Sequence, residues 1–176
     1  MNPLLIAATF KEIAPFIQKY KNEIQQWTLD MDVLITGIGL TATAYQLSKQ
    51  IQIKKPTLVI QAGVAGCFDK QMPLGSVVLV KQDAIADESV VELKQLRTLF
   101  DLKLLPQKQF PFQKGWLVNS NTLLLKKNNL KMVKGISVNQ ITSSQQMIGF
   151  YKKYFNPVVE SMEGAAMHYV CLMENI

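Results

Sequence analysis

The stretch VVESMEGAAMHYVCL (residues 158–172) sets two carboxylates, Glu160 and Glu163, beside Met162 and ahead of three small residues, Gly164, Ala165 and Ala166. A carboxylate at the first turn of a helix has an ordinary role, because it complements the positive end of the helix dipole. Two carboxylates converging on one crevice have a chemical role. One can take a proton from water while the other stabilises a developing positive charge. Glu12, in AATFKEIAPF, is a second acid of the same kind as Glu163. Each follows an apolar strand signal and opens a helical one, so both can face one crevice at the carboxyl ends of the strands.

Two glycine turns accompany these acids. ITGIGLTATAY places G-x-G after an apolar run, with Ala42 where a dinucleotide fingerprint has its third glycine or an alanine. The next apolar strand, PTLVIQAG, offers Gln61 and no ribose-binding acid. A dinucleotide turn, a small-ligand loop and a plain strand–helix turn all remain compatible with it. QAGVAGCFD (61–69) is the second turn, and its backbone N–H groups can cradle an anion or a water, or serve only a bend.

Other titratable groups read as structural. Asp83 and Asp87 read as loop acids in polar surroundings, and His168, inside an apolar helix, as a satisfied core or interface histidine. Cys67 and Cys171 are isolated, which argues for a reducing compartment over a disulfide frame, with Cys171 a packing residue. A single histidine and no Cys-x-x-Cys give no metal signature, and no cofactor is expected.

Positioning these groups requires an alternation of strands and helices, which the chain carries. Strand signals cover 3–8, 32–39, 56–66, 75–85, 132–143 and 158–162; helical spacing covers 10–26, 41–53, 121–129, 146–155 and the final segment. Pro15 is expected in a first helical turn. Residues 88–115 read as a helix followed by an irregular excursion around Pro106 and Pro111. Apolar strands separated by helices predict an α/β fold with a mixed, mostly parallel twisted sheet flanked by helices. Ligands of such folds bind at the carboxyl edge of the sheet.

The 176 residues, 48% hydrophobic, suffice for one domain with a sizeable core, 1–176. No run of about 18 apolar residues predicts a membrane span. The N-terminus lacks a basic region and cleavage site of a signal peptide, so a cytoplasmic location is expected. The net charge of +6 suggests nucleic acid, but the lysines are scattered and Arg97 is the single arginine, so no nucleic-acid partner is expected.

The stretches AATFKEIAPF, VLITGIGLTATAYQL, VIQAGVAGCFD, LGSVVLV and VVESMEGAAMHYVCL run in one order over nearly the whole chain. They resemble the nucleoside phosphorylase/nucleosidase superfamily, and within it the futalosine hydrolase branch of menaquinone biosynthesis. The resemblance implies a three-layer nucleosidase fold and hydrolysis of the N-glycosidic bond of futalosine, releasing hypoxanthine. It implies that Glu163 accepts hydrogen bonds from the ribose hydroxyls, that Met162 packs on the sugar, and that Glu12 activates water. Gly63, Ala65 and Gly66 are implied around the water and sugar, and Thr142 and Ser143, in QITSSQ, near the base. A homo-oligomer, most simply a dimer, is implied as well.

The superfamily continues with a strand bearing R-x-I-S-[N/D], whose last residue faces the departing base. The resemblance therefore implies a C-terminally shortened member, without that contact and without the last strand and helix. A nucleosidase of methylthioadenosine or adenosylhomocysteine is the alternative reading. A phosphorylase needs arginines for phosphate, and a binding or structural remnant without catalysis is the reading from a different class.

Overall fold

A computed structural model describes residues 2–22 and 31–176. Strand β1 (Pro3–Ala7) is the centre of a three-stranded parallel sheet, between β2 (Asp32–Ile35) and β3 (Leu58–Gln61). Its run of apolar residues follows from burial on both faces. Leu4 and Ile6 pack with Leu47 and Ile51 of helix α2 (Leu40–Lys54), whereas Leu5 and Ala7 pack with Ile13 of helix α1 (Phe10–Lys19). Strands β2 and β3 are less covered than their apolar sequences predict, with Val33, Ile35 and Ile60 each more than a third exposed. An apolar run alone does not separate a strand covered on both faces from one covered on a single face.

A second, mixed sheet has the order β4–β10–β9–β5–β8. Its members are β4 (Gly66–Cys67), β5 (Val78–Asp83), β8 (Leu117–Val118), β9 (Lys131–Ser137) and β10 (Val159–Ser161). Strands β5, β9 and β10 are parallel, while β4 and β8 run antiparallel at the two ends. Further helices are α3 (Thr122–Lys127), α4 (Gln145–Tyr154) and α5 (Gly164–Met173). This is the expected α/β architecture of mixed, mostly parallel strands flanked by helices.

Helix α5 explains the small residues after Glu163. Ala165 and Ala166 are buried against Leu40 and Leu117, and Val170 and Cys171 join Leu4 and Leu47. Side chains this small let α5 lie close to α2 at the end where Glu163 emerges.

Three local expectations change. Residues 88–98 form no helix but a hairpin, β6 (Ser89–Glu92) and β7 (Gln95–Thr98). Its two-residue turn places Leu93 and Lys94 at φ 49° and 61°, the primed-turn geometry that Asn-Gly usually announces. With leucine and lysine there, the sequence hides the turn. Pro15 lies beyond the first turn of α1, where its missing N–H leaves the Lys11 carbonyl without its helical partner. The helical spacing expected through residue 26 runs into positions outside the described residues. No helix among the described residues is long and apolar enough to cross a membrane.

Candidate active site

Glu12 is the third residue of α1, and its carboxylate is held at both oxygens. Oε2 accepts from the Thr9 backbone N–H at 2.8 Å and from the Thr9 hydroxyl at 3.1 Å. Oε1 accepts from the Val64 N–H at 3.3 Å. Gly63 is adjacent, and a Cβ there would stand 3.0 Å from Glu12 Oε1. The second glycine turn thus approaches this carboxylate as backbone, and a side chain at Gly63 would push it away.

Glu163 lies two residues beyond β10, at the N-cap of α5. It is buried, and its Oε1 accepts the Gly39 N–H at 2.9 Å. Gly39 has φ 98° and ψ 162°, a conformation open to glycine alone. The G-x-G turn therefore aims a backbone N–H at a carboxylate from the far end of the chain. Of the three readings of that turn, the dinucleotide one has its anchoring N–H already occupied by protein.

Glu12 and Glu163 meet in one cavity of about 670 Å³, which Gly63, Ala65, Asp83 and His168 also line. The cavity borders β3 and β5 along their lengths. Gln61 lines it too, and its Oε1 is buried without a hydrogen-bond partner. Unpartnered buried acceptors are rare, so Gln61 offers a ligand donor a place to bind. Among the described residues no lysine or arginine lines the cavity. Arg97, the single arginine, sits in the β6–β7 hairpin and pairs with Glu92 at 3.0 Å.

Met162, Gly66, Thr142 and Ser143 do not line this cavity. Met162 is half-buried between Ser161 and Glu163, and Gly66 pairs with Glu160 across the β4–β10 ladder. Thr142 donates its backbone N–H to Glu160 Oε1 at 2.9 Å. Val159 and Ser161 line the cavity, so the alternation of a strand turns Glu160 to its other face. Glu160 is buried there, with Oε2 unpartnered.

Asp83 is not a loop acid. It ends β5, is 2% exposed, and accepts a hydrogen bond from Ser137 Oγ at 3.0 Å. Burial pushes its carboxyl up to about 7, against the pull of the Ser137 and backbone hydrogen bonds. The polar sequence KQDAIAD conceals this, because the strand bulges between Val80 and Gln82 and carries Asp83 inward. The signal available was its place at the carboxyl end of a strand. His168 is buried as expected; burial lowers its imidazole to about 4, and it has a backbone hydrogen bond with Leu117. Burial also raises the Cys171 thiol to about 12, which suits a packing role.

A sequence model of the phosphorylase superfamily matches residues 5–176. This chain belongs to that superfamily. Solved structures of similar fold include futalosine hydrolase of Helicobacter pylori, at a TM-score of 0.76 and 19% identity. That alignment covers 100% of this chain and 85% of the other. The 5′-methylthioadenosine/S-adenosylhomocysteine nucleosidase of the same organism aligns at a TM-score of 0.77 and 19% identity, covering 100% and 81%. The corresponding nucleosidase of S. pneumoniae aligns at 0.76 and 17%, covering 100% and 81%. A search of the curated proteins finds no match. At these identities the likeness concerns the fold, and superfamily membership rests on the sequence match.

Proposed function

We propose that this protein hydrolyses the N-glycosidic bond of a purine nucleoside, with futalosine as the preferred substrate. The observation that carries the reading is the meeting of Glu12 and Glu163 in one cavity, beside the turn that holds Gly63 and Ala65. Cleavage of such a bond passes through an oxocarbenium-like sugar. In this reading Glu163, anchored by Gly39, accepts hydrogen bonds from the ribose hydroxyls and stabilises the charge developing above it. Glu12, held by Thr9 and Val64, takes the proton of the attacking water as oxygen bonds to C1′ and the base leaves with the C–N electron pair. Water is preferred over phosphate as nucleophile because Arg97 is committed to Glu92, away from the cavity.

The second reading is a methylthioadenosine or adenosylhomocysteine nucleosidase. The lining without lysine or arginine among the described residues favours it, since a carboxybenzoyl group would be met by a cation. Release of hypoxanthine from futalosine and of adenine from methylthioadenosine, measured side by side, separates the two. Glu163→Gln should abolish whichever is seen. Silence of the wild-type protein with both nucleosides would sink both readings and leave a binding or structural member of the superfamily.

A further inference from the structure

The first two N–H groups of α5 lead to Asp83. Gly164 donates its N–H to Ser161 Oγ at 3.0 Å, and Ala165 donates its N–H to Ser137 Oγ at 2.8 Å. Ser137 Oγ in turn donates to Asp83 Oδ1 at 3.0 Å. The two serine oxygens lie 3.2 Å apart. A hydroxyl has one proton, and that of Ser137 is spent on Asp83, so Ser161 must be the donor between the serines. Every donor in the chain therefore points toward one carboxylate, which accepts at second hand the orphan N–H groups of a helix start.

The space around Asp83 is kept for it. A Cβ at Gly135 would come within 3.0 Å of Asp83 Oδ2, and one at Gly164 closer than side chains ever approach. Glu163 immediately precedes these N–H groups. Anything that fixes the start of α5 thereby fixes the backbone from which Glu163 reaches Gly39.

We propose that Asp83 is a positioning residue: through Ser137 and Ser161 it anchors the start of α5 and so holds Glu163 in the cavity. The inference rests on the nucleosidase reading only for its kinetic consequence. A charged acceptor binds roughly twice as strongly as a neutral one, so the anchor is firm when Asp83 is ionised and slack when it is protonated. The exchange falls near neutrality, since burial brings the group to about 7.

The elements packed around Asp83 carry other charged groups. On β9, Lys134 stacks over Trp116, and on β10, Glu160 accepts from Thr142. Strand β8 brings only Leu117 and Val118. On β5 itself Lys81 is exposed. Of the groups sharing the cavity, His168 is neutral at this pH, and Glu12 and Glu163 are engaged by Thr9, Val64 and Gly39.

The test follows the amide proton and nitrogen shifts of Gly164 and Ala165 through neutral pH, alongside kcat/KM. In the wild type both amides should titrate together with a midpoint near 7, and kcat/KM should rise through the same midpoint. Asp83→Asn should remove both transitions and lower kcat/KM about tenfold above the midpoint. Ser161→Ala should silence the titration at Gly164 and leave it at Ala165. Amides that do not move, or that move equally in Asp83→Asn, would overturn the proposal, as would a kcat/KM transition that survives the substitution. Amides that titrate as described in a protein turning over no nucleoside would uphold the Asp83 anchor and remove the nucleosidase reading.

Discussion

Gly39 and Glu163, 124 residues apart, are joined by one hydrogen bond of 2.9 Å from a backbone N–H to a buried carboxylate oxygen. The bond requires Gly39 at φ 98°, which no other residue adopts comfortably. Gly39→Ala should therefore destabilise the fold by about 1–3 kcal/mol. It should also raise KM, because Glu163 loses its anchor. Urea unfolding and steady-state kinetics on the same preparation check both effects; an unchanged KM would separate Glu163 from substrate binding.

Glu12→Gln keeps a carbonyl oxygen for the two Thr9 donors, gives up the longer Val64 contact, and cannot take a proton from water. The expected outcome is a fall in kcat of about 10²–10⁴-fold with little change in Tm. A small kinetic effect would remove Glu12 from the chemistry.

Gly63 and Gly164 each face a carboxylate, yet their substitutions should differ. A Cβ at Gly63 presses on the end of the Glu12 side chain, which can yield by a small rotation. Gly63→Ala should lower kcat while Tm stays close to that of the wild type. A Cβ at Gly164 presses on buried Asp83, with Ser161 and Ser137 beside it and nowhere to move. Gly164→Ala should lower Tm markedly, and thermal melting of the two variants together tests the contrast.

Asp83 and His168 make opposite demands on pH. The folded pKa of Asp83 is raised from 3.8 to about 7, so the native state keeps a proton that the unfolded chain releases, and this contribution to stability falls as pH rises through that window. The folded pKa of His168 is lowered from 6.5 to about 4, so the unfolded chain binds the proton first, and this contribution rises with pH between those values. Between pH 4 and 6.5 the two contributions oppose each other in the wild type. Asp83→Asn should unmask a rise with pH approaching about 1.4 kcal/mol per unit. His168→Gln should unmask a fall. Denaturant titrations across this range decide; a flat curve in both variants would contradict both assignments.

Arg97 is partly exposed and pairs with Glu92 in a hairpin outside the cavity. Arg97→Ala should leave turnover unchanged, and added phosphate should not accelerate it. Phosphate-dependent release of the base, lost in the variant, would mark phosphorolysis instead.

The parts legible in the sequence were those set by period and by glycine. Continuous apolar runs located β1 and β3, and helical spacing located α2 and α4. The carboxyl ends of strands located Glu12 and Glu163 together. The hairpin at Leu93–Lys94 was hidden because its turn residues carry none of the usual chemistry. Asp83 was hidden because a bulge, which no local pattern announces, reverses the direction its neighbours suggest. The link between the G-x-G turn and Glu163 depends on tertiary contact, and composition near either residue does not contain it.

That link also orders events at the ribosome. Domains emerge from their N-terminal end at about 5–20 residues per second. Glu12 and the Gly39 turn leave the exit tunnel long before Glu163, so the nascent chain holds half a site whose partner has not been made. Until α5 docks, the cavity lacks the wall that carries Glu163 and His168. The docking of α5 thus completes both the hydrophobic contacts around β1 and the cavity itself, and under the proposed function a bound nucleoside should protect that docked state against unfolding.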